Sequence, residues 1–371
     1  MFEIKISKSI DEGKVILSQN YQPGLIEFVG RTTVENGVKG YTRELCFKPN
    51  PPDVISVSQI GTITAQIRSN YWYASQNIFL LSPKKEHKKL FSLFGISAIN
   101  KALEGSFDSG YSNYPTLLTL QDLKVKLPIL HGEIDYEFME RFIAELNAKR
   151  FAELNAYLTA TGLKDYTLTP EEEQALQCFE SNQIEWSEYK MGKLFRRRDT
   201  KKLFYKAKGL PKEPKGEYTL PCLTSSFLNQ GLNYYAPRKN ATILKDVISI
   251  PSNSDVYRAY FQSRDFTVLS DAYAIEWVYG NIKISHKQYL FLVSSINQVT
   301  DLPIYSYKNK LGGWCVVKEK DISLPILNDE IDYALMETLV SAIQKLVIKD
   351  VVLHADRELA TIQQVIEKGF K

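Results

Sequence analysis

Apolar residues follow two different rhythms along this chain. In two long stretches they fall in short runs of aromatic and β-branched types, broken by glycine, proline and asparagine. Val54–Val57, Tyr71–Leu81, Val247–Ile250 and Tyr273–Val278 predict strands. Glu35-Asn36-Gly37, Gln59-Ile60-Gly61, Pro251-Ser252-Asn253-Ser254 and Leu311-Gly312-Gly313 predict the turns between such runs. After each β-rich stretch the rhythm changes to spacings of mostly four and three. Ile134, Phe138, Phe142, Leu146, Phe151, Leu154 and Leu158 form one apolar stripe, beginning near Glu133 and ended by Gly162. Thr169-Pro170-Glu171-Glu172 reads as the cap and first turn of a shorter helix. A second stripe, from Ile331 through Leu335, Leu339, Ile343, Leu346, Val351, Leu359 and Ile362 to Ile366, predicts a helix from about Glu330 to Lys368. At 1.5 Å per residue that helix is roughly 55 Å long. It outreaches a small domain, so its stripe is expected to pack against the first long helix as an antiparallel pair.

The two rhythms recur because the chain repeats itself. Residues 127 to 139 (LPILHGEIDYEFM) and 324 to 336 (LPILNDEIDYALM) agree at nine of thirteen positions. Upstream, Asp53-Val54-Ile55-Ser56 is echoed by Asp246-Val247-Ile248-Ser249 at nearly the same separation. Two echoes in the same order, nearly 200 residues apart, indicate tandem domains and not a solenoid. The fold class is therefore mixed α/β: two β-rich modules, each followed by a long helix.

Composition narrows the setting. The chain has 371 residues, 44% of them hydrophobic and 24% charged, as in a soluble globular protein of two or three domains. No apolar run reaches the ~20 residues of a membrane span, and the first residues are too charged for a signal peptide. Cys46, Cys178, Cys222 and Cys315 lie far apart without a CxxC pair, which argues against a disulfide framework or a cysteine-rich zinc site and for a reducing cytoplasm. The net charge of +3 hides an uneven distribution: residues 133 to 185 carry 12 acids and 4 bases, whereas 186 to 215 carry 11 bases and 3 acids. A second basic run is Lys84-Lys85-Glu86-His87-Lys88-Lys89. This fits a surface facing a polyanion beside an acidic scaffold, although solvated loops account equally well for charge alone.

A β-rich module followed by LPI…EIDY and a long helix, all repeated once, resembles the specificity subunit of type I restriction systems, and still more the separate specificity subunit of type IIB systems. The residues that carry the resemblance are Leu127-Pro128-Ile129 with Glu133–Met139, and Leu324-Pro325-Ile326 with Glu330-Ile331-Asp332-Tyr333. Ile184-Glu185-Trp186-Ser187-Glu188-Tyr189 with Gly192-Lys193-Leu194-Phe195 is similar to the W-x-x-F/Y…G-x-L-F opening of a target-recognition domain. The first module lacks that opening. The resemblance implies target-recognition domains at 1–126 and 183–323, a first spacer-helix region at 127–182 and a second spacer helix at 324–371. Each domain would read half of a split site in double-stranded DNA. The helices would fix the spacing and dock methyltransferase or fused nuclease-methyltransferase subunits, two per chain, through Phe138, Phe142, Leu146, Leu335, Leu339 and Ile343. S-adenosylmethionine and Mg²⁺ are expected on those partners, with no cofactor or metal on this chain.

Base readout needs polar side chains on projecting loops, and phosphates need basic groups. The first module offers Gln59, Gly61 and Thr62, and the matching loop of the second offers Ser252, Asn253 and Ser254, followed by Tyr257 and Arg258. Ser225, Asn229 and Gln230 are further candidates. The phosphate candidates are Arg31, Arg43, Arg68, Lys84 and Lys85, then Arg196, Arg197, Arg198, Lys201 and Lys202. Catalytic patterns are weak. Asn50-Pro51-Pro52-Asp53 has Asp where an adenine methyltransferase needs an aromatic. Asp53, Glu86 and Lys88 have the letters of a PD…ExK nuclease, but Asp246, the twin of Asp53, has no ExK after it. A stand-alone metal-dependent nuclease and a protein-only adaptor are the rival readings. Walker A and GxSxG motifs are absent, and His87, His131, His286 and His354 are isolated.

Overall fold

A computed structural model describes residues 1–108, 113–204 and 206–369. The chain divides into two compact units, residues 1–154 with 356–371 and residues 155–355, and passes from one to the other within its two longest helices.

The first unit contains β1 (Phe2–Ile6), β2 (Ile26–Val29), β3 (Val38–Thr42), β4 (Val54–Ser58), β5 (Ala65–Arg68), β6 (Trp72–Ala74) and β7 (Ile78–Pro83). Then come α1 (Leu93–Ser106), α2 (Leu117–Gln121), the short pair β8 (Ile129–Leu130) and β9 (Glu133–Ile134), and the long α3 (Tyr136–Ala160). The second unit holds α4 (Pro170–Glu180), β10 (Trp186–Lys190), α5 (Met191–Leu194), β11 (Phe195–Arg197), β12 (Tyr218–Leu223), β13 (Leu232–Pro237), β14 (Val247–Pro251), β15 (Tyr260–Gln262), β16 (Thr267–Val268) and β17 (Ala272–Trp277). It continues with α6 (His286–Thr300), α7 (Trp314–Val317), β18 (Asp321–Leu327), β19 (Glu330–Ile331) and α8 (Tyr333–Gly369), whose residues from Asp356 on belong to the first unit.

Each unit is built on the same two sheets. A four-stranded sheet runs β1-β7-β4-β5 in one and β11-β17-β14-β15 in the other, and a three-stranded sheet runs β3-β2-β6 and β13-β12-β16. The stretch Tyr71–Leu81 is two strands, β6 in one sheet and β7 in the other, because Asn77 takes a left-handed conformation (φ 64°) and turns the chain between them. The β-rich reading of the modules also missed a helix in each. Helix α1 lays Ile96, Ile99 and Leu103 on Ile55, Val57, Phe79 and Leu81, and α6 lays Leu292 and Ile296 on Ile248, Ile250, Tyr273 and Ile275. Each helix is locked to its sheet edge by one asparagine. Asn100 Oδ1 accepts from Ala65 N at 2.7 Å and its Nδ2 donates to Ala65 O at 3.0 Å; Asn297 does the same with Ala259 at 2.7 and 3.3 Å. The two asparagines are 197 positions apart, as are the two LPIL segments. Asp53 and Asp246 share a left-handed backbone (φ 56° and 54°) just before β4 and β14, so this repeated aspartate serves a turn in each unit.

The units differ at one edge. In the second, Leu324–Leu327 pairs with the hairpin strand β19 and also, through Leu324 and Pro325, with β10, which the W-x-x-Y opening forms. In the first, among the described residues, Ile129 and Leu130 pair only with β9, and they are 68% and 55% exposed. The long helices also expose their stripes differently from expectation. On α8 the buried residues among those described are Met336, Leu339, Ala342, Val352, Ala355 and Ile362, with Leu335 half-buried and Ile343, Leu346 and Val351 exposed. On α3, Met139 and Leu158 are buried while Phe138, Phe142 and Leu146 are exposed.

Candidate nucleic-acid interface

Three loops meet at one end of the sheets in each unit, and the topology brings them there. Strands β2 and β6 are parallel and β4 and β7 antiparallel, so the β2–β3 tip, the β4–β5 loop and the β6–β7 turn all leave the sheets at the same end. In the first unit Gln59 N donates to Asn77 O at 2.9 Å and Gln66 Nε2 to Thr32 O at 3.0 Å. Gln59, Gly61, Thr62 and Arg31 are thereby gathered. In the second unit the corresponding bonds are Ser252 N to Asp271 O at 2.8 Å and Tyr260 Oη to Phe227 O at 2.9 Å. Ser254 Oγ donates to Ser225 O at 2.7 Å, which joins Ser225, Asn229 and Gln230 to Ser252, Asn253 and Ser254.

The two clusters share a backbone and differ in chemistry. The second encloses a polar hollow lined by Ser225, Ser226, Asn233, Asn253 and Asp271. Asp271 Oδ2 accepts from Ser225 N and Oγ at 3.3 and 3.0 Å, while Asp271 Oδ1 and Asn253 Oδ1 find no donor among the described residues. The first unit has Arg31 and Asn77 at the places of Ser225 and Asp271. Asp271 and Asn77 were not among the expected site residues, and they join the clusters through strand pairing.

Three expected contact residues are corrected. Arg68 and Tyr257 are both 1% exposed and Ser254 7%, and all three belong to the interior. Arg68 Nε donates to Ser56 Oγ at 2.9 Å and Nη2 to Gln66 Oε1 at 2.6 Å, and its guanidinium lies 5.9 Å from the centre of the Trp72 ring. Burial lowers its pKa to about 10 against the opposing pull of Glu27, and Nη1 finds no acceptor among the described residues. The cost of holding this charge away from water is present at every pH below about 10. Gln262 occupies the same register position in the second unit and donates to Ser249 Oγ at 3.0 Å. Arg68→Gln is therefore expected to change unfolding free energy by no more than about 1 kcal/mol, measured by urea denaturation. A loss of several kcal/mol would show that the charge itself is needed.

The other basic candidates are exposed but not all near the loops. Lys84 and Lys85 follow the far end of β7, roughly 20 Å from Asn77 at strand rise, and Arg43 follows the far end of β3. Arg196 and Arg198 both pair with Glu276, at 2.7 and 2.8 Å, and Arg197 lies 5.5 Å over the Tyr273 ring. Lys201 is held through its backbone by the Thr242 hydroxyl, and Lys202 is exposed. Arg258 is bound to Asp301 at 2.6 Å. Burial, with Asp271 adding to it, pushes the Cys222 thiol up to about 12, which leaves it unreactive.

A second repeated feature lies on the helices. In the first unit an apolar groove runs between α1 and α3, lined by Phe94, Ser97, Ala98, Phe142, Ile143 and Leu146. In the second, Phe291, Ser294, Ser295, Leu339, Val340 and Ile343 line the groove between α6 and α8. Each of these six residues is 197 positions from its counterpart. Phe142, Leu146 and Ile343 remain 46%, 42% and 50% exposed.

Comparison with known proteins assigns the chain. The profile described as "Type I restriction modification DNA specificity domain" matches residues 1–156 and again 183–353. Comparison with curated protein sequences gives no match. Among solved structures, the S subunit of a type I restriction-modification system from M. genitalium is similar over 99% of this chain and 92% of its own, with 14% identity and a TM-score of 0.51, which shows a shared fold. The HsdS subunit from Thermoanaerobacter tengcongensis aligns with 100% of this chain and 96% of its own at 11% identity and a TM-score of 0.32, too low to carry an argument. Among the described residues no helix is long and apolar enough to cross a membrane. With its two matching regions together spanning most of its length, the chain belongs to the type I restriction-modification DNA specificity family, as a DNA-recognition subunit and not an enzyme.

Proposed function

We propose that each unit reads one half of a split sequence in double-stranded DNA, in the cytoplasm, with the three loops that meet at the end of its sheets. The observation that carries this reading is the repetition itself: one backbone arrangement, built twice, gathers Arg31, Gln59 and Thr62 in one unit and Ser225, Asn253 and Asp271 in the other. Two readers with the same frame and different side chains suit a site whose halves differ. The long helices, paired as the sequence suggests, act as the spacer. Half-sites on one face of the duplex lie about 34 Å apart, within the roughly 55 Å reach of α8.

The repeated grooves fit two copies of one partner, since equivalent apolar surfaces accept the same element. That partner is the methyltransferase, or fused nuclease-methyltransferase, subunit. It brings S-adenosylmethionine and Mg²⁺, and this chain brings the address.

Titration with duplex DNA at increasing salt tests the interface. Binding is expected to weaken with salt, and alanine at Arg31, Lys201 or Lys202 is expected to reduce affinity uniformly and flatten the salt slope by about one per lost phosphate contact. Binding that ignores salt would sink the DNA reading and favour a protein adaptor. Metal-dependent cleavage by the chain alone, lost on Asp53→Ala, would instead establish the nuclease.

A further inference from the structure

The tip of the β2–β3 hairpin and the tip of the β12–β13 hairpin contain the least expected backbone in each unit. Glu35 (φ 48°, ψ 41°) and Asn36 (φ 50°, ψ 35°) are left-handed in succession and lead into Gly37 (φ 78°). Asn229 (φ 48°, ψ 39°) and Gln230 (φ 56°, ψ 32°) do the same before Gly231 (φ 90°). L-residues visit this region singly, because the β-carbon crowds the next carbonyl oxygen, and a run of them is disfavoured at each step. Each tip eases the strain with one asparagine and a closing glycine but places Glu35 or Gln230 at the remaining left-handed position, and both keep the conformation.

Both tips are also braced, from the same two positions of the neighbouring strand. In the first unit Gln66 Nε2 holds Thr32 O while Arg68 Nη2 holds Gln66, and Asn36 Nδ2 reaches Ile67 O at 3.3 Å. In the second, Tyr260 Oη holds Phe227 O and Gln262 Nε2 holds Gln230 O at 3.1 Å. Gly37 and Gly231 are buried at the root, and a β-carbon on Gly37 would stand 2.4 Å from Gln66 Oε1. Bracing by unrelated side chains at matching positions means that the turn is the retained object. What it presents differs: Glu35 in one unit and Asn229 in the other, both exposed, with a carboxylate and an amide that have no partner among the described residues.

We infer that each left-handed turn is a base-reading finger whose first residue specifies one base pair of its half-site. The inference rests on the DNA-reading function proposed above and adds which residues discriminate. A carboxylate offers only acceptors and takes the N4 amino group of cytosine in the major groove; an amide offers a donor and an acceptor together and matches N7 and N6 of adenine. Glu35 thus reads cytosine and Asn229 reads adenine. Exposed Arg31, four residues before Glu35, supplies the positive charge that lets an acid approach a polyanion.

The test is selection of bound duplexes from a randomised DNA pool by the full-length chain, followed by sequencing. The wild type is expected to return a split motif. Glu35→Asn is expected to shift the preference at one base pair of one half from cytosine to adenine by about tenfold or more. The other half should be unaltered, so it reports that the variant is folded. Asn229→Glu should make the reverse change in the other half. An unchanged motif in both variants, with the wild type still selecting its split site, overturns the finger and leaves the DNA-reading function standing. Loss of both halves in Glu35→Asn overturns it as well, by showing that the residue acts through the fold. A wild type that enriches no sequence overturns the finger together with the function on which it rests.

Discussion

Lys345→Met is expected to cost the second unit about 3 kcal/mol at neutral pH, because it strands a carboxylate that the fold has taken out of water. Lys345 Nζ lies 2.8 Å from Glu172 Oε2 and also donates to Thr167 O at 2.8 Å; the two side chains are only 17% and 8% exposed. Glu172 has a second task. Its Oε2 accepts from Thr169 N at 2.9 Å while its own N–H is capped by the Thr169 hydroxyl, so the residue that closes the capping box of α4 is also the anchor of α8. Burial pushes the Glu172 carboxyl up, but hydrogen bonds from Lys345, Thr169 and Ser341 outweigh it and hold the group below the usual carboxylate range. A carboxylate whose pKa is lowered by folding stabilises the fold fully above its unfolded value, about 4.3, and this contribution fades as pH falls through the lower folded value. Without Lys345 burial prevails and the folded pKa rises, so the variant takes up a proton at higher pH and loses its handicap in acid. Urea unfolding at pH 7 and pH 4 should show a large difference that narrows. A difference independent of pH would mean that Lys345 acts by packing alone.

Placing aspartate in both grooves at once, Leu146→Asp with Ile343→Asp, is expected to abolish assembly with the proposed methyltransferase partner while leaving the free chain folded. Both residues are about half-exposed, so the substitutions cost the isolated protein little. In a complex each would bury an unpaired carboxylate against Phe142 or Leu339, a penalty of several kcal/mol per groove. The single variants carry the sharper information. If the grooves hold two copies of one partner, each single variant should retain one copy, and mass measurement of the complex would count them. A single variant that retains both copies, or a double variant that assembles normally, would remove the grooves from the interface.

How much of this was legible in the sequence depends on which contacts were local. The long helices, the Thr169 cap and the repeat were readable because a stripe, a capping residue and two identical segments are written within a few residues of one another. Helices α1 and α6 were not read, although Ser285 and Gln288 form a capping box at the start of α6. Their interiors mix serine, asparagine and β-branched residues, and their helical face is fixed by the sheet they cover. Arg68 shows the opposite failure. An arginine on an apparent loop edge looks like a phosphate contact, and only the pairing of β5 with β4 turns it inward to Ser56. The reading loops lie in between: Gln59 and Ser252 were picked from turn chemistry, but Asp271 joins them through a parallel strand pairing that no local pattern announces.

The unequal treatment of the two LPIL segments has a practical consequence for handling the protein. In the second unit β10 pairs along Asp321–Pro325 of β18 and is itself the outer strand of that sheet, and Leu327, the counterpart of Leu130, is 61% exposed. In the first, Ile129 and Leu130 stand at an open edge with apolar side chains in water, the arrangement by which strands of separate molecules join. Concentrated solutions of the free chain should therefore self-associate through the first half, and cross-links between molecules should cluster around residues 127 to 134. A charge at Ile129 is the substitution to try when solubility limits an experiment, since it lies outside the loop clusters, grooves and hairpin tips on which recognition and assembly are proposed to depend.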